Sequence, residues 1–191
     1  MDHKKMAKHL LFSESISINF INNPNLKSYL LSSLAQDKSN NKNITISNRG
    51  GYHSSNLLDE TINKMLLPHI VEAMCDFADK NFNIDILNLW IIENKLHDYN
   101  TPHLHEYSAF SGIFYLETPE DSGDLVFDRN DKGHTMQGYS NYFESTDTID
   151  RGCIKPKENM LLIFPSHLTH YVEKNKNTKS RISVSFNFNL K

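Results

Sequence analysis

The sequence predicts a mainly β protein with flanking helices, an α+β chain whose short strands close into a sandwich or double sheet. Three observations predict it. Helical spacing of apolar residues is confined to the first half, at residues 24–36 and 57–80. From Ile84 onward the chain turns to short apolar or alternating runs. Turn-forming residues separate those runs, as in all-β sandwiches and barrels.

Each element has its own signal. Leu10 to Phe20 becomes alternating after Phe12, which reads as a first strand. Asn22-Asn-Pro-Asn offers a helix start, with Pro24 tolerated in the first turn. Leu26, Tyr29, Leu30 and Leu34 follow at helical spacing, giving a helix over 24–36. Asp37 to Asn43 is polar and aperiodic, a loop, and Ile44 to Ser47 reads as a short strand before the Gly50-Gly51 turn. In residues 57–80, Ile62, Met65 and Leu66 share one face, and Ile70, Met74, Phe77 and Ala78 continue it. Pro68 is expected to break or restart that helix, because proline removes a hydrogen bond and crowds the preceding turn. Asp85 to Glu93 is a long strand with Trp90 as a core aromatic. Residues Ser111–Glu117, Asp124–Asp128, Met160–Phe164, His170–Glu173 and Arg181–Asn189 are shorter strands. Helices first and strands later imply helices packed on a jelly roll. No internal repeat and no composition break divides the chain, so residues 1–191 read as one domain.

Composition narrows the function. Hydrophobic residues make up 38% and charged residues 23%, as in soluble globular proteins. A formal net charge of -3 argues against a sequence-independent grip on nucleic acid, which needs a basic surface. No apolar run reaches the roughly 20 residues of a membrane-spanning helix, and the charged start is unlike a signal peptide. Cys75 and Cys153 are the two cysteines and suggest no disulfide framework. A reducing cytoplasm is the simplest compartment, and self-association as a homodimer stays open.

The chemistry centres on Asn100-Thr-Pro-His103-Leu-His105. In extended backbone, residues two apart point to one face, so both imidazoles converge as two ligands of one metal must. Phe164-Pro-Ser-His-Leu-Thr-His170 supplies a third candidate, and Arg181 opens an alternating run to Asn187. Taken singly, each histidine is more often a structural residue than a ligand. The pair, a distant third and a late arginine together form the layout of a non-haem iron site. Imidazoles suit iron, zinc, copper and nickel alike, so residue type does not choose the metal. His3, His9, His69, His97 and His134 have no motif around them.

Four blocks in order carry a resemblance. They are Ser47-Asn-Arg-Gly-Gly-Tyr-His-Ser54, His103-Leu-His105-Glu-Tyr-Ser108-Ala-Phe-Ser111-Gly112-Ile-Phe-Tyr115, Phe164-Pro165-Ser166-His-Leu168-Thr-His170-Tyr-Val172 and Arg181-Ile-Ser183-Val-Ser185-Phe-Asn187. The chain thereby resembles a 2-oxoglutarate/Fe(II)-dependent oxygenase family with an H-x-H…H…R motif. Tyr52 stands where that family usually has Trp, and Asp128-Arg129 lacks the Pro often found between Asp and Arg. The resemblance implies a double-stranded β-helix with Fe(II) on His103, His105 and His170. It implies 2-oxoglutarate as cosubstrate, with Arg181, Ser183 and Tyr115 binding it. It implies a dioxygenase, as a hydroxylase, that releases succinate and CO2 and acts on a small-molecule or side-chain substrate.

The broader superfamily usually pairs His-x-Asp/Glu with a distal His, and here His105 occupies the carboxylate position. Three neutral imidazoles leave a ferrous site at +2, which a 2-oxoglutarate dianion neutralises. Glu106 and Asp124 are the carboxylates that would replace His105 if the local geometry differs. Arg181 suits the cosubstrate because guanidinium offers a carboxylate a planar, always-charged fork. Ser183 shares its face on a strand. Two other readings compete: a three-His cupin dioxygenase that uses no 2-oxo acid, and a non-catalytic metal-binding jelly-roll module. Against the cupin, Ala109 stands where a Glu is expected and Arg181 has no task. Residues 129–156 are polar and aperiodic, with Tyr139, Tyr142 and Phe143 among them, and read as a long loop, either a lid or a solvated excursion.

Overall fold

Two antiparallel sheets face each other, and two helices cover the outer face of the larger one. The computed structural model describes residues 14–40, 43–75, 77, 82–128 and 151–191. The elements in chain order are β1 (Ser17–Phe20), α1 (Pro24–Asn40), β2 (Asn48–Arg49), β3 (Tyr52–His53), α2 (Glu60–Met74), β4 (Ile84–Asn94), β5 (Tyr99–His103), β6 (Phe110–Glu117), β7 (Leu125–Asp128), β8 (Arg151–Ile154), β9 (Met160–Pro165), β10 (His170–Val172) and β11 (Arg181–Leu190). The major sheet runs β1-β9-β6-β11-β4-β3 and the minor sheet β2-β5-β10-β7-β8. This is the mainly β, helix-flanked jelly roll predicted.

Period-two alternation sorts the side chains of the major sheet between two cores. On β11, Ile182, Val184, Phe186 and Phe188 join Leu89 and Ile91 of β4 and Leu161 and Ile163 of β9 beneath the helices. From α1 this layer takes Leu26, Leu30 and Leu34, and from α2 Ile62, Leu66 and Ile70. The opposite faces of β6 and β9 contribute Ile113, Tyr115, Leu162 and Phe164 to a smaller cluster between the sheets. Alternate residues of β4 and β11 face that inner space as well, and they line a cavity.

Several expectations are corrected. Helix α1 extends to Asn40, so Asp37 belongs to its inner face; it is buried and accepts hydrogen bonds from Tyr52 Oη at 2.8 Å and Ser55 N at 3.1 Å. A charge anchored by tertiary partners had looked like loop polarity. Residues 44–47 are not a strand; the pairing begins at Asn48. Pro68 sits inside α2 without ending it. It is exposed, as is Lys64 four residues earlier, so the carbonyl it leaves unpaired faces water. Within the predicted loop 129–156, residues 151–154 form β8 and pair with β7. Residues 129–150, with the proposed lid aromatics, lie outside the described residues. So do residues 76 and 78–81 of the predicted helix 57–80.

Candidate active site

The site begins with a register. His170 opens β10, the middle strand of the minor sheet, and is the direct cross-strand partner of His103 on β5. Between that pair and Val172↔Asn100, β5 advances three residues for two on β10. The extra residue falls at Thr101-Pro102, where proline has no N–H for the ladder. His105 follows just past the strand, held by its own N–H to Ser166 O at 3.0 Å. Ligand-capable atoms of His103, His105 and His170 all lie within 4.8 Å of one another. Among the described residues no carboxylate joins them; Glu106 is exposed.

Each imidazole is turned the same way. His103 Nδ1 lies 2.8 Å from Thr101 O and His170 Nδ1 2.9 Å from Leu168 O. A carbonyl oxygen only accepts, so both Nδ1 atoms carry the proton and both Nε2 atoms keep the lone pair. His105 Nδ1 donates to Asn187 Oδ1 at 2.5 Å, and Asn187 Nδ2 donates onward to Asn88 Oδ1 at 3.0 Å. Ser111 Oγ also reaches His105 Nδ1, Asn187 Oδ1 and Ser166 Oγ at 2.8–2.9 Å. The serines of the sequence motifs thus buttress one histidine. Such outer partners fix the ring orientation of metal-binding histidines. Burial lowers the basicity of all three rings; His170, 3% exposed and beside His103, is pushed down to about 3. Three neutral, pre-aimed lone pairs result.

Arg181 marks the far end of the cavity. It is 1% exposed, with Nη1 donating to Ser122 O at 2.7 Å and Gly123 O at 3.0 Å, and Nη2 to Asn94 Oδ1 at 2.7 Å. Its Nε is buried with no partner among the described residues. Ser183 and Tyr115 line the same end and are register partners across β11 and β6. Burial raises the Tyr115 phenol to about 12, with Arg181 opposing and Asp124 adding to the effect, so it stays a hydrogen-bond donor. Desolvation lowers the Arg181 pKa, which Tyr115 and Asp124 oppose. Asp124 is therefore placed near Arg181 electrostatically and not among the imidazoles.

The cavity between these ends has a volume of about 420 Å³. Several of its residues escaped sequence reasoning, Trp90 and His53 among them. Trp90, expected in the core, lines the cavity, because β4 alternates and Trp90 shares a face with Asn88, Ile92 and Asn94. Its ring lies 5.6 Å from that of His105. His53 stacks on Trp90 at 5.7 Å with planes 6° apart. The signal for His53 was its place in the block from Ser47 to Ser54.

Residues 88–187, more than half of the chain, match the family described as "Putative 2OG-Fe(II) oxygenase". The chain belongs to this 2-oxoglutarate/Fe(II) oxygenase family. Its cofactors are accordingly Fe(II) and 2-oxoglutarate, and the three-His cupin reading falls away. The oxygenase also shares its fold with solved structures. A Pseudomonas putida prolyl-4-hydroxylase is 15% identical with a TM-score of 0.62, covering 92% of each chain. The 2-oxoglutarate-dependent epimerase SnoN from nogalamycin biosynthesis is 10% identical with a TM-score of 0.63, over 92% of this chain and 77% of that one. HygX from Streptomyces hygroscopicus, with nickel, 2-oxoglutarate and hygromycin B bound, is 8% identical with a TM-score of 0.61, over 92% and 82%. No curated protein matches the sequence. The donor sets suit both cofactors: three Nε2 lone pairs for a divalent ion, and an unpartnered buried guanidinium N–H for a carboxylate.

Proposed function

We propose that this oxygenase hydroxylates an unactivated C–H bond of a small-molecule or side-chain substrate with O2 as the oxidant, one oxygen atom entering the product and the other the succinate formed as 2-oxoglutarate loses CO2. The observation that carries the reading is the unpartnered Arg181 Nε, buried in the wall of the cavity that also holds the three converging imidazoles. His103, His105 and His170 are the metal ligands in this reading, through Nε2. Arg181 receives the far carboxylate of the cosubstrate, and Ser183 and Tyr115 add hydroxyl donors. When bound, iron and the 2-oxo acid supply the oxidising power. The protein's part is to orient, to hold protons in place and to keep water out. Thr101 O, Leu168 O and Asn187 Oδ1 each retain an Nδ1 proton, so the three rings keep their lone pairs toward the metal. Ile113, Phe164 and Val172 form apolar wall around them, which limits unproductive reaction with solvent.

The prolyl-4-hydroxylase neighbour supports hydroxylation, whereas the epimerase has the same fold. The outcome therefore depends on how the substrate sits, and a product mass gain of one oxygen is the expected result. A reducing cytoplasm suits a ferrous enzyme and is part of the proposal. The test of the cosubstrate assignment is succinate formation against 2-oxoglutarate concentration. Leaving a buried charge unpaired typically costs about 3–5 kcal/mol. Arg181→Ala should thus raise the 2-oxoglutarate requirement by roughly two to three orders of magnitude, with iron content unchanged. Arg181→Lys should recover part of the loss, since ammonium keeps the charge and loses the fork. Overlaying curves would remove Arg181 from the site.

A further inference from the structure

The cavity is asymmetric along its length. Across β11 and β4 the inward register pairs run Arg181↔Asn94, Ser183↔Ile92, Ser185↔Trp90 and Asn187↔Asn88. Arg181 and Asn94 form one end and Asn187 and Asn88 the other. Among the described lining residues, Arg181 is the only one with a fixed charge, and the cosubstrate takes it. Among the described residues, nothing at the Asn88 end can pair with a charged substrate.

What that end does present is set by hydrogen bonds behind it. Asn88 Oδ1 is occupied by Asn187 Nδ2 at 3.0 Å, so Asn88 offers its Nδ2 hydrogens. Asn56 Oδ1 is occupied by Leu58 N at 3.2 Å and by Leu89 N, the residue after Asn88, at 3.1 Å. Asn56 therefore also offers its Nδ2. His53 Nδ1 lies 2.8 Å from Ser54 O and must donate to it, which leaves Nε2 as an acceptor. His53 stands opposite Ile92 and stacks on Trp90, so two donors lie toward the Asn88 end of the wall and one acceptor farther along it. Around them, Ile44, Ile46 and Leu104 line the cavity while exposed; Ile46 is 65% exposed. Exposed apolar residues gathered at a cavity are a recognition feature.

We propose that the substrate is an uncharged molecule that presents an amide carbonyl to Asn56 and Asn88, directs a separate hydrogen-bond donor to His53 farther along the wall, and rests an apolar body on Trp90 and the Ile44–Ile46–Leu104 lip. An amide carbonyl meets the two donors, and an N–H or O–H elsewhere on the molecule meets the acceptor. A charged group there would be desolvated without a partner. The inference deepens the oxygenase reading and rests on it for the occupancy of Arg181.

The chain has one tryptophan, so its fluorescence reports on this wall alone. The probes are cyclohexanecarboxamide, cyclohexanecarboxylate and cyclohexylmethylamine, which share a body and differ in charge. Each is titrated against the full chain with Zn(II) and saturating 2-oxoglutarate, which block turnover and fill Arg181. The carboxamide should change Trp90 emission saturably, with at least a ten-fold lower Kd than either charged analogue. Asn88→Asp keeps an oxygen for Asn187 and turns a donor into an anion. It should weaken the carboxamide and strengthen the amine, reversing their order. Equal affinities in the parent, or an unchanged order in the variant, would overturn the proposal. Succinate formation with Fe(II) in the same preparations is followed separately. Its absence would sink the oxygenase reading without altering the ranking of the three probes.

Discussion

Asn187 shows how much a single side chain decides. Its Oδ1 holds His105, which has no carbonyl of its own chain neighbours to do so, and its Nδ2 holds Asn88. Asn187→Ala leaves Ser111 Oγ as the remaining neighbour of His105 Nδ1, and a hydroxyl can donate or accept. The ring is then free to take the wrong tautomer. Iron affinity should fall roughly 10–100-fold, read by competition with a chelator, with little change in the folded spectrum. His170→Ala is the stronger change. Losing one of three imidazoles should abolish Fe(II) binding while the fold survives. Metal analysis of the purified variant, with circular dichroism as the control, checks it; undiminished iron would remove His170 from the ligand set. At this scale the sequence was informative where chemistry is local. His103, His105, His170 and Arg181 stand out by residue type and spacing. Asn56, Asn88 and His53 do not, because only strand pairing between β3 and β4 brings them to the same wall.

Among the elements, β6 is the most tightly specified. Its Gly112 lies under the Phe186 ring: a Cβ there would sit 2.1 Å from Cζ. Neither a central strand nor a ring 0% exposed can easily move aside. Gly112→Ala should therefore destabilise the protein by about 1–3 kcal/mol through overpacking, measured by urea denaturation. The same glycine in the sequence looked like part of a motif, with no hint of the aromatic above it. Long strands were legible because ten alternating residues, as in β11, fit no other element. The two-residue strands β2 and β3 carry too few residues for any period, and β8 is polar, with an exposed pattern at an outer edge. Helix α2 outlasts Pro68 because its inner face, Ile62 to Met74, is bound to the sheet; tertiary burial outweighs a local penalty.

For the whole molecule, the layers are tied by a few polar clasps as well as by cores. Asp37 of α1 accepts from the hydroxyl of Tyr52 on β3 and from both Ser55 N and Oγ. These bonds join the helical layer to the segment that carries His53. Asp37→Ala would strand three donors at a buried position, at about 1–3 kcal/mol for an unsatisfied group. A lower midpoint in urea, with a weaker response of Trp90 to cyclohexanecarboxamide, is the expected pair of results. The fold class was legible at this scale because it depends on the order of helices and strands. The partition into sheets was not, since neighbours such as β5 and β10 are remote in sequence and leave no local mark.

That same pairing has a consequence for the life history of the protein. His103 and His170 meet only because β5 and β10 lie in register, with a bulge between them. An unfolded or half-folded chain holds at most two neighbouring imidazoles on flexible backbone, a poor trap for a ferrous ion. Metal capture therefore belongs to the last act of assembly, after the minor sheet has closed. On this geometry a newly made chain would complete its minor sheet before it holds a ferrous ion through all three imidazoles. Once seated, the ion would rivet two strands that three residues of β10 otherwise join. Amide exchange in β5 and β10 should slow on metal loading far more than exchange in β4 and β11.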